Sequence, residues 1–313
     1  MESINVLSLF DGMSGGQIAL NRSKIKVGNY YSSEIKPIAI KLTKANYPNT
    51  IHIGDVRKIN VKDLEKIDLL IGGSPCQRFS FIGKMNGMTT SENIEVLSLN
   101  HYLELKKSNF EFDGQSYLFW EYVRILNDLR KINPNIKFLL ENVKMSKKWE
   151  NVISNSLGVS PILINSNLVS FQNRPRLYWT NISNSINQPI DKQINFQDYI
   201  GIGNLEEAKL RETPSRIKMW NNGNGFQGLG SCHNITSEKK VRCLTRKQDR
   251  SPNSGLIEYN GFARFLTRRE MEAAQTVPYG YTDILSYNQA QDVLGDGWTI
   301  DVISHIFNYM KNE

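Results

Sequence analysis

Short apolar runs alternate with helix-like stretches through the first half of the chain, and each run ends in turn residues. Their apolarity is continuous rather than alternating, which is typical of parallel strands covered on both faces. Five runs are predicted as strands: INVLSLF, GNYYSSEI, IHIGDV, IDLLIGG and IKFLLENV. Between them, GQIALNRS and SYLFWEYVRILNDLRKI carry apolar residues at three- and four-residue intervals, as crossover helices do. The pattern predicts an α/β fold with a parallel sheet.

The pattern changes over residues 181–260, where long apolar runs are few and Asn, Gly, Ser and Lys are frequent. This stretch includes the glycine-rich segment NNGNGFQGLGS and predicts a second, smaller and irregular domain. After it, ARFLTRREMEAAQ and GWTIDVISHIFNYM return to helical periodicity. We therefore expect a first domain over residues 1–183, the smaller domain over 184–262, and a return segment over 263–313 whose last helix completes the first domain.

The composition fits a globular chain of 313 residues, with 40% hydrophobic and 22% charged residues. No apolar run approaches the roughly 20 residues needed to span a bilayer, and no basic leader precedes the first apolar run. Three cysteines cannot build a disulfide framework, and four scattered histidines do not indicate a metal site, so a reducing cytosol is expected. The net charge of +7 favours a polyanionic partner, although mildly basic enzymes are common.

Small or acidic residues end three successive predicted strands. The segment FDGMSGG, residues 10–16, can turn sharply and approach a ligand at a helix N-terminus, although it lacks the P-loop and dinucleotide glycine spacings. The second strand ends in Glu34 and the third in Asp55. Each acid alone could be a helix cap or a solvated residue. Together the three features predict a nucleoside site at the carboxyl edge of the sheet.

Cys76 follows the strand that ends in Gly72 and Gly73, and Pro75 stiffens the turn before it. The thiol is therefore expected at the same edge of the sheet, and we count Pro75 with the candidate catalytic residues. The other two cysteines, Cys232 and Cys243, are interpreted as ordinary buried residues, as most lone cysteines are.

Two further segments place polar groups near this edge. The strand FLLENV ends in Glu141 and Asn142, and the carboxyl could serve as a proton donor. In SFQNRPRLYW, Arg174 and Arg176 are predicted to alternate on one strand, so both would point to one face and donate hydrogen bonds to a polar substrate.

These motifs, with LTRREMEAAQTVPYGYTD and GDGWTIDVISHIF, resemble the cytosine-5 DNA methyltransferases. The resemblance covers nearly the whole chain outside residues 84–116 and 184–240, and SPCQ, ENV and QNRPR in this order are together highly specific. The style is nearest to phage and bacterial members, while the opening FDG and the GWTIDVISHIF segment also resemble the animal de novo branch. The resemblance implies a doubly wound, Rossmann-like, S-adenosylmethionine-dependent methyltransferase domain with a smaller target-recognition domain.

The resemblance also implies the chemistry of the candidate catalytic residues. The Cys76 thiolate would add to carbon 6 of cytosine while Glu141 hydrogen-bonds or protonates N3, after which carbon 5 attacks the methyl group of S-adenosylmethionine. Asn142 would position the Cys76 loop. Arg174 and Arg176 would orient the base or the thiolate region, with a structural role as the alternative for Arg176.

For the cofactor, the family pattern implies that Phe10 is an aromatic wall beside adenine, Glu34 accepts from the ribose and Asp55 accepts from the adenine amino group. Trp298 would close the pocket from the C-terminal segment, with ordinary helix-edge packing as its alternative. The neighbouring residues assigned to the same pocket are Asp11, Gly12, Gly15, Ile35 and Val56.

A cytosine stacked in a duplex cannot reach Cys76, so it must be flipped out, and DNA contacts must compensate for that. The segment KKVRCLTRKQDR, residues 239–250, holds six basic residues and one acid. Its candidate DNA contacts are Arg242, Arg246, Lys247, Gln248 and Arg250, of which Arg246 and Gln248 could hydrogen-bond to base edges. A solvated loop is the alternative.

The resemblance predicts double-stranded DNA as the partner of a monomeric enzyme in the cytoplasm of a bacterial or phage-infected cell. A cognate restriction endonuclease is a further candidate partner. The rivals are a tRNA methyltransferase of the same family and a catalytically silent DNA-binding paralogue, against which the intact catalytic residues argue. An insertion at residues 84–116 is expected to cover or contact DNA, with surface decoration as the alternative. Asp296 is an acid where some relatives have arginine or asparagine.

Overall fold

The computed structural model describes residues 2–76, 78–79, 87–221, 233–250 and 252–311. Three sequence features lie outside these ranges. They are Gln77 of the SPCQ motif, Cys232 and the glycine-rich stretch at 222–231.

Seven strands form one sheet in the order β3-β2-β1-β4-β5-β7-β6. Their bounds are β1 Ile4–Leu9, β2 Val27–Ser33, β3 Ile51–His52, β4 Leu69–Gly73, β5 Lys137–Val143, β6 Ile162–Asn165 and β7 Pro175–Thr180. The first five strands pair in parallel, but β7 runs antiparallel to both β5 and β6. The doubly wound α/β prediction is confirmed, although the sheet is mixed rather than wholly parallel. Because the chain passes from β1 outward to β3 and then returns to β4, a crevice opens at the carboxyl ends of β1 and β4.

Helices cover both faces of this sheet. Their bounds are α1 Gly15–Arg22, α2 Pro37–Asn46, α3 Leu99–Lys107, α4 Phe119–Ile132, α5 Lys147–Leu157, α6 Pro214–Asn221, α7 Arg268–Ala274, α8 Tyr287–Asp296 and α9 Ile300–Asn308. Successive strand residues enter different cores, since Val6 packs in the layer of α1 and α9 while Leu7 packs in the layer of α4 and α5. This two-sided burial explains the continuous apolarity of the strands.

Two sequence predictions of element type are wrong in part. IHIGDV forms a strand only over Ile51–His52, because Gly54 adopts a positive φ of 75° and Asp55 caps a short 3-10 turn. The segment ARFLTRREMEAAQ begins as a strand rather than a helix. Its first residues belong to β9, Phe262–Arg264, which forms an antiparallel hairpin with β8, Ile257–Tyr259. Helix α7 starts only after Thr267, whose side chain and that of Glu270 form a capping box.

The C-terminal helix α9 packs against α1 near the start of the chain. The Ser23 hydroxyl donates to the Ser304 carbonyl (3.1 Å), and the Ser304 hydroxyl donates to the carbonyl of Ala19. The domain boundaries stay a prediction. The predicted boundary at residue 262 falls inside the hairpin of β8 and β9. Within the described ranges, no helix has the length and apolarity to cross a membrane.

Candidate active site

A cavity of about 340 Å³ lies in the crevice at the carboxyl ends of β1, β2 and β4. Its volume falls in the range of small-molecule sites. The residues predicted from the sequence that line it are Phe10, Gly12, Glu34, Ile35, Asp55, Val56, Pro75 and Cys76. The cavity therefore joins the predicted nucleoside acids to the predicted nucleophile.

A smaller cavity of about 50 Å³ adjoins the first, since both are lined by Phe10, Gly12 and Gly73. Its other lining residues include Asp11, Gly15, Glu141 and Trp298. All nine residues predicted for the cofactor thus line one of two contiguous cavities. The residues of the larger cavity that the sequence did not single out include Lys36, Arg57, Gln115, Tyr117 and Leu118.

The turn after β1 is held by Asp11, which is buried. Its carboxylate accepts hydrogen bonds from the hydroxyls of Ser14 (2.6 Å), Tyr30 (2.7 Å) and Ser32 (2.9 Å). Burial raises the pKa of Asp11, and the hydroxyl donors oppose that shift. Asp11 therefore stabilises the cavity wall through its side chain.

Glu34 connects the ends of β1 and β2. One carboxylate oxygen accepts from the backbone N–H of Gly12 (2.8 Å), and the other accepts from those of Ile35 (2.7 Å) and Lys36 (2.8 Å). Across the mouth of the larger cavity, Lys36 Nζ lies 2.8 Å from Asp296 Oδ2. Backbone N–H donors thus orient Glu34, and the Lys36–Asp296 ion pair lies beside it on the wall of the larger cavity.

Asp55 lies at the start of the 3-10 turn after β3. Its carboxylate accepts from the backbone N–H of Arg57 (2.9 Å) and from the Arg57 guanidinium (2.5 Å). These hydrogen bonds lower the pKa of Asp55, so the carboxylate is an acceptor at neutral pH.

The Cys76 loop is held from two sides. The Asn142 amide donates to the carbonyl (3.2 Å) and hydroxyl (3.0 Å) of Ser74, and Arg78 beyond the thiol forms an ion pair with Asp113. Burial raises the pKa of the Cys76 thiol, and the charge of Glu141 raises it further. The thiol of the free protein is therefore protonated at neutral pH and must lose a proton before it can act as a nucleophile.

Glu141 lies two residues before the end of β5 and lines the smaller cavity, and only 9% of its surface is exposed. Its Oε1 lies 3.0 Å from Arg176 Nε, and its Oε2 accepts from the indole N–H of Trp298 at 3.1 Å. Each carboxylate oxygen therefore has a donor from a different part of the chain.

Arg174 has a different environment from Arg176. Strand β7 begins at Pro175, so Arg174 lies just before the strand rather than within it, yet both guanidinium groups reach the sulfur of Cys243, as expected of side chains on one face. The Arg174 guanidinium donates to the carbonyls of Leu244 (2.8 Å), Gly295 (3.2 Å) and Gly297 (2.8 Å), and the residue is 4% exposed. These contacts make Arg174 the structural arginine, whereas the sequence suggested that role for Arg176.

Cys243 was missed as a site residue, and its interpretation as an ordinary buried cysteine is wrong. Its sulfur lies 3.1 Å from Arg174 Nη1 and 3.6 Å from Arg176 Nη2. Burial opposes ionisation of this thiol, but the two guanidinium groups outweigh it and lower the pKa of Cys243. No local pattern pairs residue 243 with the arginines, because the contact spans almost seventy residues.

The basic segment at residues 239–250 is only partly available for DNA. Arg242, Lys247 and Arg250 are exposed, while Arg246 Nε lies 3.5 Å from Asp296 Oδ2. Gln248 is 2% exposed, and its amide donates to the Thr245 carbonyl (2.9 Å) and accepts from Ser254. The Gln248 side chain therefore holds the turn in the DNA-free chain, and its contact with base edges stays a prediction.

The described part of the insertion, residues 87–116, packs on α4. The Tyr102 hydroxyl of α3 donates to the buried carboxylate of Glu121 (2.6 Å), and the rings of Phe112 and Tyr117 stack with centroids 4.3 Å apart. Its C-terminal end delivers Gln115 to the larger cavity. The alternative of pure surface decoration is therefore wrong for this end, while a contact with DNA stays a prediction.

The sheet order and the two contiguous cavities define a Rossmann-like methyltransferase. Two solved structures share the fold. The chain superimposes on the Entamoeba histolytica methyltransferase EhMeth with a TM-score of 0.71 at 17% identity, covering 100% of this chain and 99% of that one. It superimposes on the S. pombe Dnmt2 methyltransferase with a TM-score of 0.69 at 15% identity, covering 99% of each chain.

The family model of the C-5 cytosine-specific DNA methylases matches residues 4–312, and the chain belongs to this family. It is 29% identical to the type II methyltransferase M1.ScrFI of Lactococcus lactis subsp. cremoris over 97% of this chain and 77% of that protein. It is 35% identical to the type II methyltransferase M.NgoBV of Neisseria gonorrhoeae over 58% of this chain, which is 41% of that protein's length. The orphan methyltransferase M.SPRI of Bacillus phage SPR matches 71% of this chain at 29% identity, over 46% of its own length.

Family membership confirms the prediction that the chain is a DNA cytosine-5 methyltransferase. Members of this family use S-adenosylmethionine in general. The DNA enzyme is favoured over both rivals, the tRNA methyltransferase and the silent paralogue.

Proposed function

We propose that this chain transfers a methyl group from S-adenosylmethionine to carbon 5 of a flipped cytosine through a covalent bond to Cys76. The observation that carries the proposal is the single cavity that extends from Glu34 and Asp55 to the Cys76 thiol. A nucleoside bound by the two acids would place the rest of the cofactor toward the reacting sulfur.

The donor set of this cavity fits the proposed cofactor. Glu34 and Asp55 are acceptors suited to ribose hydroxyls and to an adenine amino group, and Phe10 supplies an aromatic wall. The smaller cavity beside Trp298 continues from the larger one and would take part of the remaining molecule. When bound, the cofactor supplies an electrophilic methyl group on a sulfonium sulfur.

The proposed reaction begins when Cys76 loses its proton to solvent and its sulfur adds to carbon 6 of the ring. The displaced electron pair moves toward N3, which receives a hydrogen bond or a proton from the acid form of Glu141, and carbon 5 becomes nucleophilic. The bound cofactor would supply the methyl group to carbon 5, and its sulfur would keep the electron pair of the broken bond. Loss of the carbon-5 proton to a base expels the Cys76 thiolate, and return of any N3 proton to Glu141 restores the aromatic ring.

The other residues orient these groups. Arg176 and Trp298 hold the two oxygens of Glu141, and Asn142 holds the backbone before Cys76. Arg176 also opposes the rise in the pKa of Cys76, so its charge favours the thiolate. Arg174 acts indirectly, through the backbone segments that it binds.

Double-stranded DNA is the proposed substrate. Extruding a cytosine costs a few kcal/mol, which phosphate contacts must offset. The exposed side chains of Arg242, Lys247 and Arg250 are the candidates for such contacts. A monomeric state and a cognate endonuclease stay predictions.

A duplex containing 5-fluorocytosine tests the covalent step. Fluorine at carbon 5 cannot leave as a proton does, so an adduct formed in the presence of S-adenosylmethionine should persist and be found by mass spectrometry on the Cys76 peptide. Cys76→Ala should abolish the adduct and methyl transfer while DNA binding is kept. Cys232→Ser, which replaces a different thiol of the chain, is the matched control and should still form the adduct.

Two results would contradict the proposal. One is methylation retained by Cys76→Ala, and the other is the absence of any adduct with the unmodified enzyme. Labelled cofactor incubated with DNA and with tRNA identifies the nucleic acid, and bisulfite sequencing of DNA from expressing cells identifies the methylated cytosines.

A further inference from the structure

Trp298 does more than line the smaller cavity. Its indole N–H donates to Glu141 Oε2 at 3.1 Å, while Arg176 Nε lies 3.0 Å from the other carboxylate oxygen. The carboxylate thus has an ion-pair partner at one oxygen and a hydrogen-bond donor at the other. Rotation about its last carbon–carbon bond would weaken both contacts, so together they favour the observed plane of the Glu141 carboxylate.

The backbone around this contact is shaped to permit it. A Cβ atom at Gly73 would lie 3.0 Å from both Glu141 Oε2 and Trp298 Nε1. At Gly15, a Cβ atom would lie 3.2 Å from the side chain of Ile300 and 3.8 Å from the Trp298 ring. Glycine at the end of β4 therefore keeps the hydrogen bond uncrowded, whereas a Cβ atom at the start of α1 would crowd Ile300 and make only ordinary van der Waals contact with the indole.

The segment that carries Trp298 is fixed independently of Glu141. The carbonyl of Gly297 accepts from Arg174 Nη2 (2.8 Å) and from the Gln275 side-chain amide (3.2 Å), and the Thr299 hydroxyl donates to Gln275 (2.8 Å). Gln275 and Thr299 are buried. Buried hydrogen bonds on both sides of Trp298 therefore fix its backbone, and the indole N–H is a donor of defined position for the Glu141 carboxylate.

We infer that Trp298 is a positioning residue for Glu141, in addition to its predicted place in the cofactor pocket. The indole face borders the cavity, and the N–H orients the carboxylate toward the cytosine ring. This inference rests on the proposed function, because it assigns a role to Glu141 in the attack of Cys76. It also predicts that cofactor affinity and turnover depend on different parts of the same side chain.

Trp298→Phe separates the two roles, because it keeps an aromatic face and removes the N–H donor. We expect kcat to fall roughly tenfold, as for the loss of one hydrogen bond to a charged group. The dissociation constant for S-adenosylmethionine, measured by calorimetry, should stay within about twofold. Trp298→Ala should lose both properties. A normal kcat in Trp298→Phe, or a loss of cofactor affinity alone, would overturn the inference.

A second measurement needs no cofactor. Addition of Cys76 to carbon 6 makes carbon 5 basic, so DNA carrying tritium at carbon 5 should release it to water when the adduct is protonated and reverts. Trp298→Phe should slow this release as much as it slows turnover. If Trp298 acts through Glu141, adding Trp298→Phe to Glu141→Gln should change the rate by less than about twofold. A full additional loss in the double variant would show that Trp298 acts elsewhere.

Two variants control for folding. Gly73→Ala changes neither partner but crowds the contact from the strand, and it should slow tritium release in the same way. Trp179→Phe removes another indole hydrogen bond, to Ser154 Oγ at 2.9 Å in the opposite core layer, and should leave tritium release unchanged. Thermal unfolding of each variant identifies any loss of structure, and Gly73→Ala decides the question if Trp298→Phe does not fold.

Failure of this inference differs from failure of the proposed function. If the unmodified enzyme neither methylates DNA nor releases tritium, the proposed function is wrong. If the unmodified enzyme does both and Trp298→Phe and Gly73→Ala match it, only the role of Trp298 is wrong.

Discussion

Replacing Arg174 by lysine should destabilise the fold more than it disturbs the chemistry. The Arg174 guanidinium is buried and donates to three carbonyls, those of Leu244, Gly295 and Gly297. These carbonyls belong to two segments that are far from β7 in sequence. Lysine keeps the charge but places its three donors on a single nitrogen, which cannot span the separate carbonyls as the planar guanidinium does.

The magnitude follows from the contacts that are lost. If the ammonium of Arg174→Lys replaces one of the three hydrogen bonds, two buried carbonyls lose a charged donor. Hydrogen bonds to charged groups contribute about 1.5–3 kcal/mol each, so two cost about 3 kcal/mol at the lower limit. That loss is a large fraction of the ~5–15 kcal/mol by which most domains are stable.

Urea unfolding followed by circular dichroism measures this loss, with Arg176→Lys as the matched control. Arg176→Lys keeps a positive charge beside Glu141 and should lose less stability than Arg174→Lys, while it reduces formation of the 5-fluorocytosine adduct. Arg174→Lys should lower the urea midpoint with the slope unchanged. An Arg174→Lys protein as stable as the unmodified one, yet inactive, would refute the structural role of Arg174.

Three further predictions concern the site and the DNA loop. Because the pKa of the Cys76 thiol is raised, the rate of its alkylation by iodoacetamide should keep rising at pH values where an ordinary thiol is already fully ionised. Peptide mass spectrometry measures this rate. Glu141→Gln removes a negative charge and should shift that profile to lower pH; an unchanged profile would contradict the assigned cause. Gln248→Ala should lower the free energy of unfolding in urea by ~1–2 kcal/mol without altering base preference. Arg250→Ala should instead reduce the slope of DNA affinity against salt concentration by about one unit. A change of base preference in Gln248→Ala with unchanged stability would identify Gln248 as a DNA contact. Asp296→Asn breaks the ion pair at the cavity mouth and should raise the cofactor dissociation rate, measured by stopped flow, by up to about fivefold, and no change would mean that the pair does not restrict exit.

The cofactor residues could be predicted from the sequence because their signals are local. Each predicted strand is a continuous apolar run that ends in turn or acidic residues, and parallel neighbours bring those ends to one edge. Glu34, Asp55 and Cys76 could be assigned to that edge because each follows the end of its own predicted strand. The cavity that they share follows from the strand order.

The roles of Arg174, Arg176, Gln248 and Cys243 could not be predicted, because each depends on a partner distant in sequence or on a turn with no local signature. Arg174 is structural because carbonyls from two later segments converge on it. Cys243 is ionisable because two arginines from another segment face it. Gln248 looks like a DNA contact in a basic stretch, and no local pattern predicts the side-chain bond to Ser254 that it makes in the DNA-free chain.

Strand β7 runs antiparallel to its neighbours, a direction that was not predicted from the sequence, and this direction explains why Arg176 reaches Glu141. In the register of the antiparallel pair, Arg176 lies opposite Val143 and Thr180 lies opposite Leu139, so the start of β7 is beside the end of β5. A parallel strand with the same sequence would carry its first residues to the opposite edge of the sheet, about 14 Å away over the four residues to Thr180. Arg176 would then lie at the opposite edge of the sheet, away from the cavity. An antiparallel β7 is therefore required for Arg176, near the start of its strand, to join side chains near the ends of the parallel strands. The QNRPR motif can contribute to the site only in that orientation.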